Sequence, residues 1–456
     1  MKLKKINENI FREYDIRGID GVDLDIDVAY TLGRSFASYI QNVGHNEVIV
    51  GHDNRESSPL LSKGLIAGLI ESGAYVIDLG LVTTPMYYYA KKKNNIENGI
   101  MITASHNPKE YNGFKISFSI CGNACGKEIT DFRDYTNKLD FIKRDGNVKV
   151  LDIRDEYLRE IKKSIDLGSR KVKVVFDCGN GTGSIIVKDI LDMFDIEYEL
   201  LYCDSNPLFP NHHPDPSVAK NMVDLGKKVK ELGYDLGIGI DGDADRVGLV
   251  DENGNVIPSD MIMLIVYRSL YNTLKTKKAI YDVKCSKALI DGLNDLGLDS
   301  EMARTGNSYM NLKINQDNLD FGGEYSGHLW FRDKWPGFDD GIYAGLRLVE
   351  ILSKTDKKTS ELLENTNKYY STEELKYSVS DETKFAVVNQ VKEYCLQKNY
   401  KIITVDGVRC EFDDSWALIR ASNTGPNLTI RFEAKTEERL KSIQKEFIDL
   451  LNKLVK

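Results

Sequence analysis

Short apolar runs that end in polar turns take turns along this chain with longer stretches of helical spacing. Gly99-Ile100-Met101-Ile102, residues 172–177 and Leu236-Gly237-Ile238-Gly239-Ile240 have the composition of buried strands. Similar runs at 47–51, 75–79 and 278–283 predict further strands. Helical spacing predicts helices over 26–42, over 59–72 with Ser58 as N-cap and Pro59 at the first helical position, and over 260–271. Three units each hold an apolar strand ending in a polar turn, at His52-Asp53, at Asp177 and at Asp282 to Lys284, which predicts a repeated α/β module. Residues 353–372, rich in Lys, Thr, Asn and Ser, read as a linker. The last part of the chain, about 85 residues, reads as a smaller α+β unit.

A chain of 456 residues is too long for one hydrophobic core, and roughly three or four domains are expected. The formal charge of −9, with Lys and Arg spread throughout, excludes a nucleic-acid footprint made from bulk charge. No apolar run approaches the roughly 20 residues of a membrane span, and Met1-Lys2-Leu3-Lys4-Lys5 lacks the apolar core of a signal peptide. A cytoplasmic protein with no membrane or nucleic-acid partner is therefore expected. The seven Cys are scattered; Cys121 and Cys125 form a close pair without a second pair to complete a zinc site, so reduced, mostly buried thiols are expected. His212 and His213 lie among three prolines in 210–216, which indicates a rigid loop. Cys178 to Ser184 departs from a dinucleotide fingerprint because residue 184 is Ser where a third glycine belongs, and it reads as a tight strand-to-helix turn.

Four stretches carry candidate chemistry. Thr103-Ala104-Ser105-His106-Asn107-Pro108 follows a buried strand and breaks at Asn-Pro, which puts the Ser105 hydroxyl on a loop where it can face a cleft; Lys115 follows closely enough to face the same space. Asp241-Gly242-Asp243-Ala244-Asp245-Arg246 crowds three carboxylates onto one turn with only Gly and Ala between them, an oxygen-only set that suits Mg²⁺. Glu324-Tyr325-Ser326-Gly327-His328 puts a carboxylate, a hydroxyl and an imidazole on a glycine-rich turn fitted to sugar hydroxyls. Arg420 to Asn427 offers a guanidinium with Ser, Asn and Thr side chains on a compact turn, a cradle for a phosphate dianion. Tyr14 and Arg17 add an aromatic and a cation from a segment, 11–18, that reads as a loop. One cleft between four domains is the economical arrangement.

With Tyr14-Asp15-Ile16-Arg17-Gly18, Thr103 to Pro108, residues 111–115 and 210–216, Asp241 to Arg246, Asp282 to Cys285, Glu324 to His328 and Arg420 to Pro426 in this order, the chain resembles the α-D-phosphohexomutase superfamily, in its phosphomannomutase/phosphoglucomutase branch. The resemblance implies a heart-shaped α/β protein of four domains: three similar α/β domains at 1–148, 149–252 and 253–367, and a C-terminal α+β domain of TATA-box-binding-protein-like fold at 368–456. It implies Ser105 as the phosphorylated nucleophile and Mg²⁺ held by that residue with Asp241, Asp243 and Asp245. Glu324 and Ser326 would read the sugar's O3 and O4, and Arg420, Ser422, Asn423 and Thr424 would hold the phosphate that is not reacting. Tyr14, Arg17, His106, Lys115, Arg246, Lys284 and His328 would complete the cleft. The family usually has a His and a Lys where this chain has Asn307 and Asn311.

The expected activity is exchange of hexose 1-phosphate and hexose 6-phosphate, of mannose or glucose, through a 1,6-bisphosphate. Glucose or mannose 1,6-bisphosphate would act as activator, and the protein would be a monomer or weak homodimer. Three other readings fit the same residues: a phosphoglucosamine mutase, a metal-dependent sugar phosphatase with Asp241 as nucleophile, and a sugar-phosphate binder without turnover.

Overall fold

The computed structural model describes residues 1–120, 122–422 and 425–455. Its strands form four sheets. The first runs in the order 16–19, 111–118, 98–102, 47–52, 75–81, 147–150; the second 256–257, 247–251, 236–240, 173–177, 197–201; the third 299–303, 278–282, 321–323, 329–331. Each contains the same four-strand unit. A first strand (47–52, 173–177, 278–282) lies between two parallel neighbours, the second and third in chain order, and a fourth returns antiparallel to the third. The repeat expected from the strand-and-turn pattern is present. Its consequence is positional: the turns 103–110, 241–246 and 324–328 all join the third strand to the fourth, at the carboxyl end of a parallel strand, where α/β sheets bind ligands.

The third strands, 98–102, 236–240 and 321–323, are buried at every position, as their unbroken apolar or glycine character requires of strands covered on both faces. One apolar cluster runs from Ile49 and Met101 through Phe176 and Ile238 to Phe321 and Tyr343, so the first three units share a core. Helix Gly341–Ser353 crosses it, with Asp340 as N-cap accepting from the Tyr343 N–H at 2.9 Å and from the Tyr157 hydroxyl at 2.6 Å. Helix Thr84–Asn94 contributes Tyr88 and Tyr89, which pack on Phe338 and Tyr157 with ring centroids 5.9 and 5.8 Å apart. These contacts hold the units in one orientation, which is what lets three separate turns meet.

The fourth sheet pairs 370–371 and 375–378 with 427–434, then continues through 415–421, 408–411 and 401–403, and helices 384–397 and 437–454 cover it around a core of its own. Its seam with the third unit is cationic. Buried Arg409 donates to the carbonyls of Val283 and Cys285, both at 2.7 Å, and lies over Trp416 at 3.9 Å; Arg431 donates to the Lys284 carbonyl, and Glu433 accepts from the Lys287 N–H at 2.8 Å.

Three local expectations are corrected. Ser58 is the first residue of its helix rather than the cap, because Asp53 Oδ1 takes its hydroxyl at 2.5 Å; Ser57 precedes the helix. Within 11–18 the second half is not loop: Ile16–Ile19 is an edge strand paired with 111–114. The stretch 353–372 is anchored rather than free. Thr359 is buried and donates to the Asp235 carbonyl at 2.7 Å, Arg268 donates to the Leu362 carbonyl at 2.9 Å, and 370–371 joins the fourth sheet.

Because two buried carbonyls at the seam with the third unit depend on one guanidinium, Arg409→Met should loosen the C-terminal unit by about 3 kcal/mol. Limited proteolysis should then cut within the exposed segment 364–368 and release that unit at denaturant concentrations where the parent chain stays intact.

Candidate active site

Strand 98–102 delivers Ser105 in the left-handed region, at φ 52°, an uncommon conformation for a residue with a Cβ. Arg55 holds it there. Fully buried, its guanidinium donates to the carbonyls of Ser105 (2.8 Å), Asn107 (2.7 Å), Pro108 (2.8 Å) and Tyr111 (3.0 Å), and its charge is met by Asp53 at 3.2 Å. Thr103 Oγ1 accepts from the Ser105 N–H at 2.8 Å. Nothing in the sequence singled out Arg55; the polar turn after strand 47–52 was visible, but only the parallel pairing of 47–52 with 98–102 puts it under the serine loop.

Across the boundary between the first two units lies the acidic turn. A Cβ on residue 242 would stand 2.6 Å from the Ser105 carbonyl, so only glycine permits this approach. The Ser105 hydroxyl donates to Asp241 Oδ2 at 3.0 Å and is 3.1 Å from His106 Nδ1. Asp241, Asp243 and Asp245 are fully buried, with one oxygen of each within 4.8 Å of the others. Lys115 Nζ donates to Asp243 at 2.7 Å and Asp245 at 2.6 Å, and Thr84 donates to Asp243 at 2.7 Å. Asp243 Oδ1 and Asp245 Oδ1 are nevertheless buried without a hydrogen-bond partner. Burial, with Asp245 and Asp243 beside it, pushes Asp241 well above the carboxylate range; for Asp243 burial is outweighed by Lys115, which holds it below that range. Buried carboxylates with unpaired oxygens fit a divalent cation bound by oxygen ligands.

The third turn joins this cluster directly. Arg246 Nε donates to His328 Nε2 at 2.9 Å, and His328 Nδ1 lies 2.7 Å from Asp339 Oδ2, so both ring nitrogens are engaged. Asp339, absent from the sequence reading, also accepts from the Asn307 amide. Asn307 therefore borders the site. Asn311 does not: its amide oxygen accepts from Asn315 at 2.7 Å along its own helix, and it faces Gly122, so only one of the two departures from the family pattern bears on the cleft. Glu324, buried and pushed up by that burial, accepts from the Gly306 N–H at 2.6 Å and from the Ser326 hydroxyl at 3.2 Å.

The fourth unit closes the ring through Asp406, whose Oδ2 accepts from Arg420 Nε at 2.9 Å and from the Thr305 N–H at 3.1 Å. Arg420 Nη2 is buried without a partner. Lys284 lies 3.3 Å from Glu374 and 3.9 Å from Asp282. Tyr14, whose phenol is pushed up by burial and by Asp15, feels the charge of Arg420, and Arg17 is paired with Asp15 while donating to Asn107 at 2.8 Å. The Ser422 N–H donates to Asn427 at 2.9 Å in the hairpin; Asn423 and Thr424 lie outside the described residues. Ser105, Asp241, Arg246, His328, Glu324 and Arg420 thus sit on one connected path, carried from Glu324 to Arg420 through Gly306, Thr305 and Asp406.

Four family profiles match in chain order: phosphoglucomutase/phosphomannomutase alpha/beta/alpha domain I over residues 8–142, domain II over 155–254, domain III over 258–369, and the C-terminal domain over 374–450. A phosphomannomutase/phosphoglucomutase of Pseudomonas syringae is 39% identical over 98% of this chain and 96% of its own length. A phosphoglucomutase of Neisseria meningitidis is 38% identical over 98% and 97%. The crystal structure of a phosphoglucomutase/phosphomannomutase family protein from Burkholderia thailandensis superposes with a TM-score of 0.90 at 33% identity, covering 98% of each chain. Profiles over nearly the whole length, relatives at this identity and the three converging turns agree: the chain belongs to the phosphoglucomutase/phosphomannomutase family.

Proposed function

We propose that the protein is a phosphohexomutase, exchanging hexose 1-phosphate and hexose 6-phosphate of the gluco or manno series through a phosphoserine at Ser105. The observation that carries this reading is the Ser105 hydroxyl set 3.0 Å from Asp241 in a cluster of buried carboxylates with unpaired oxygens. A phosphoryl group on Ser105 Oγ, with oxygens of Asp241, Asp243 and Asp245, would complete an oxygen shell for Mg²⁺, which when bound draws charge from the transferring group.

The substrate's C6 hydroxyl attacks the phosphorus in line, the bond to Ser105 Oγ breaks, and a 1,6-bisphosphate forms. Arg17, Lys115 and Arg246 set positive charge around the transferring oxygens. His106, held well below its ordinary value by desolvation and by Arg246 and Arg17, is the neutral base able to exchange the hydroxyl proton, while His328, its two ring nitrogens engaged by Arg246 and Asp339, positions Arg246. The intermediate then turns end for end and returns a phosphoryl group to Ser105. Glu324 and Ser326 meet ring hydroxyls in either orientation, while Tyr14, Lys284, Arg420, Ser422, Asn423 and Thr424 hold the distal phosphate. Glucose or mannose 1,6-bisphosphate, which can prime Ser105, would serve as activator. Among rival readings, a phosphatase with Asp241 as nucleophile is disfavoured because Asp241 already accepts from the Ser105 hydroxyl and from the N–H groups of Asp245 and Arg246.

Ser105→Ala should lower turnover of glucose 1-phosphate or mannose 1-phosphate by at least about 10⁴-fold. Intact-mass analysis after mixing with glucose 1,6-bisphosphate should show one added phosphoryl group on the parent chain and none on the variant; full activity of the variant would remove the nucleophile assignment. Stripping the protein with a chelator should abolish turnover, with Mg²⁺ restoring it, and undiminished activity after stripping would argue against a metal at the acidic turn. Asp406→Asn, which loosens Arg420 without touching Ser105, should raise KM about tenfold with kcat within about twofold; an equal loss in kcat would contradict a purely positioning role.

A further inference from the structure

Away from the cleft, two thiols stand side by side at the carboxyl ends of neighbouring parallel strands. Strands 173–177 and 197–201 end in register, Asp177 opposite Leu201, and Tyr202 in the left-handed region at φ 51° precedes Cys203. The Sγ atoms of Cys178 and Cys203 are 2.7 Å apart, about 0.7 Å more than a disulfide bond. Cys178 is buried, while Cys203 is partly exposed. The two strand ends are already fastened together: the Cys178 N–H donates to the Leu201 carbonyl at 3.2 Å, the Asn180 N–H to that of Tyr202 at 2.7 Å, and the Asn180 amide to that of Asp204 at 2.9 Å.

We propose that Cys178 and Cys203 form a disulfide site oxidised by peroxide, and that closing it acts on the acidic turn through Thr182 and Gly242. Cys203, the less buried residue of the pair, attacks hydrogen peroxide; a sulfur–oxygen bond forms, the peroxide bond breaks, and water leaves behind a sulfenic acid. Cys178 then attacks that sulfur. Its proton departs with the hydroxide as a second water, and the two sulfurs are joined; a dithiol reductant reverses the reaction by exchange.

The bond would be felt at the site because no slack lies between. The Cys178 carbonyl accepts from the Gly181 N–H at 2.8 Å, and the next N–H, of Thr182, donates to the Gly242 carbonyl at 2.8 Å. A Cβ at 181 would stand 2.8 Å from that same carbonyl, and one at 242 would stand 2.6 Å from the Ser105 carbonyl. Drawing Cys178 towards Cys203 therefore displaces the turn on which Gly242 rests, between Asp241 and Asp243. A displacement of about 1 Å near a reacting centre costs up to about 100-fold in rate.

The turnover readout rests on the mutase reading; the cross-link readout does not. The reduced full-length protein is treated with hydrogen peroxide, its remaining thiols are alkylated, and the peptides are mapped by mass. A peptide joined through Cys178 and Cys203 is expected before Cys285, Cys395 and Cys410 lose their alkylatable thiols, together with about tenfold slower turnover that dithiothreitol restores. Cys203→Ser, and Cys203→Ala as a second variant, should keep the reduced protein's turnover and lose the reversible decline. Titration with Mg²⁺ reads the coupling without turnover, and affinity about tenfold weaker in the oxidised form is expected. Absence of the joined peptide, or Cys203 oxidised alone with Cys178 still alkylatable, overturns the disulfide site. A joined peptide with turnover and metal affinity unchanged overturns the coupling. Absence of turnover in the reduced protein would sink the mutase reading instead, with the joined peptide and the Mg²⁺ titration still deciding this one.

Discussion

Three carboxylates are packed, out of solvent, against one serine hydroxyl, and the rest of the molecule is what makes that tolerable. Isolated, such a cluster would take up protons or open to water. Here Lys115 arrives from the first unit to meet Asp243 and Asp245, Arg246 flanks Asp241, and two carboxylate oxygens are left over. That residue of unmet negative charge is the physical basis for expecting a cation, and it exists only while the first two units stay docked. The shared core from Met101 to Tyr343 fixes the docking, so stability and site chemistry draw on the same packing.

The fold solves a convergence problem by repetition. Because each α/β unit places the turn between its third and fourth strands at the same end of the sheet, three copies arranged around one core bring a serine, an acidic turn and a glycine-rich polar turn together. No turn has to be long. The fourth unit contributes differently, with its own core and a seam in which guanidiniums meet carbonyls beside a small apolar cluster of Val283, Trp416 and Leu418.

Around the reacting atoms stands a second set of residues that touch no expected ligand directly. Arg55 restrains the strained serine loop through four carbonyls, Asp339 holds the imidazole of His328, and Asp406 ties Arg420 to the Thr305 turn. Arg55 and Asp339 are buried and Asp406 half-buried, and charges held by fixed hydrogen-bond partners keep their geometry well.

Much of this protein was legible in residue order alone. Strands such as 98–102 and 236–240 announce themselves because burial on both faces demands an unbroken apolar or glycine run, and Asp241 to Asp245 announces an acidic turn because like charges that close together in sequence cannot be separated by folding. The repeat was visible for the same local reason. Tertiary structure decided everything that depends on strand register. Arg55 lies fifty positions from Ser105. Asn307 enters the cleft while Asn311, one helical turn on, faces away. Cys178 and Cys203 meet because two strands end in register. A sequence specifies which groups must leave water and which turns can form; which distant group arrives beside them is set by how the sheets pair, and pairing is a property of the whole chain.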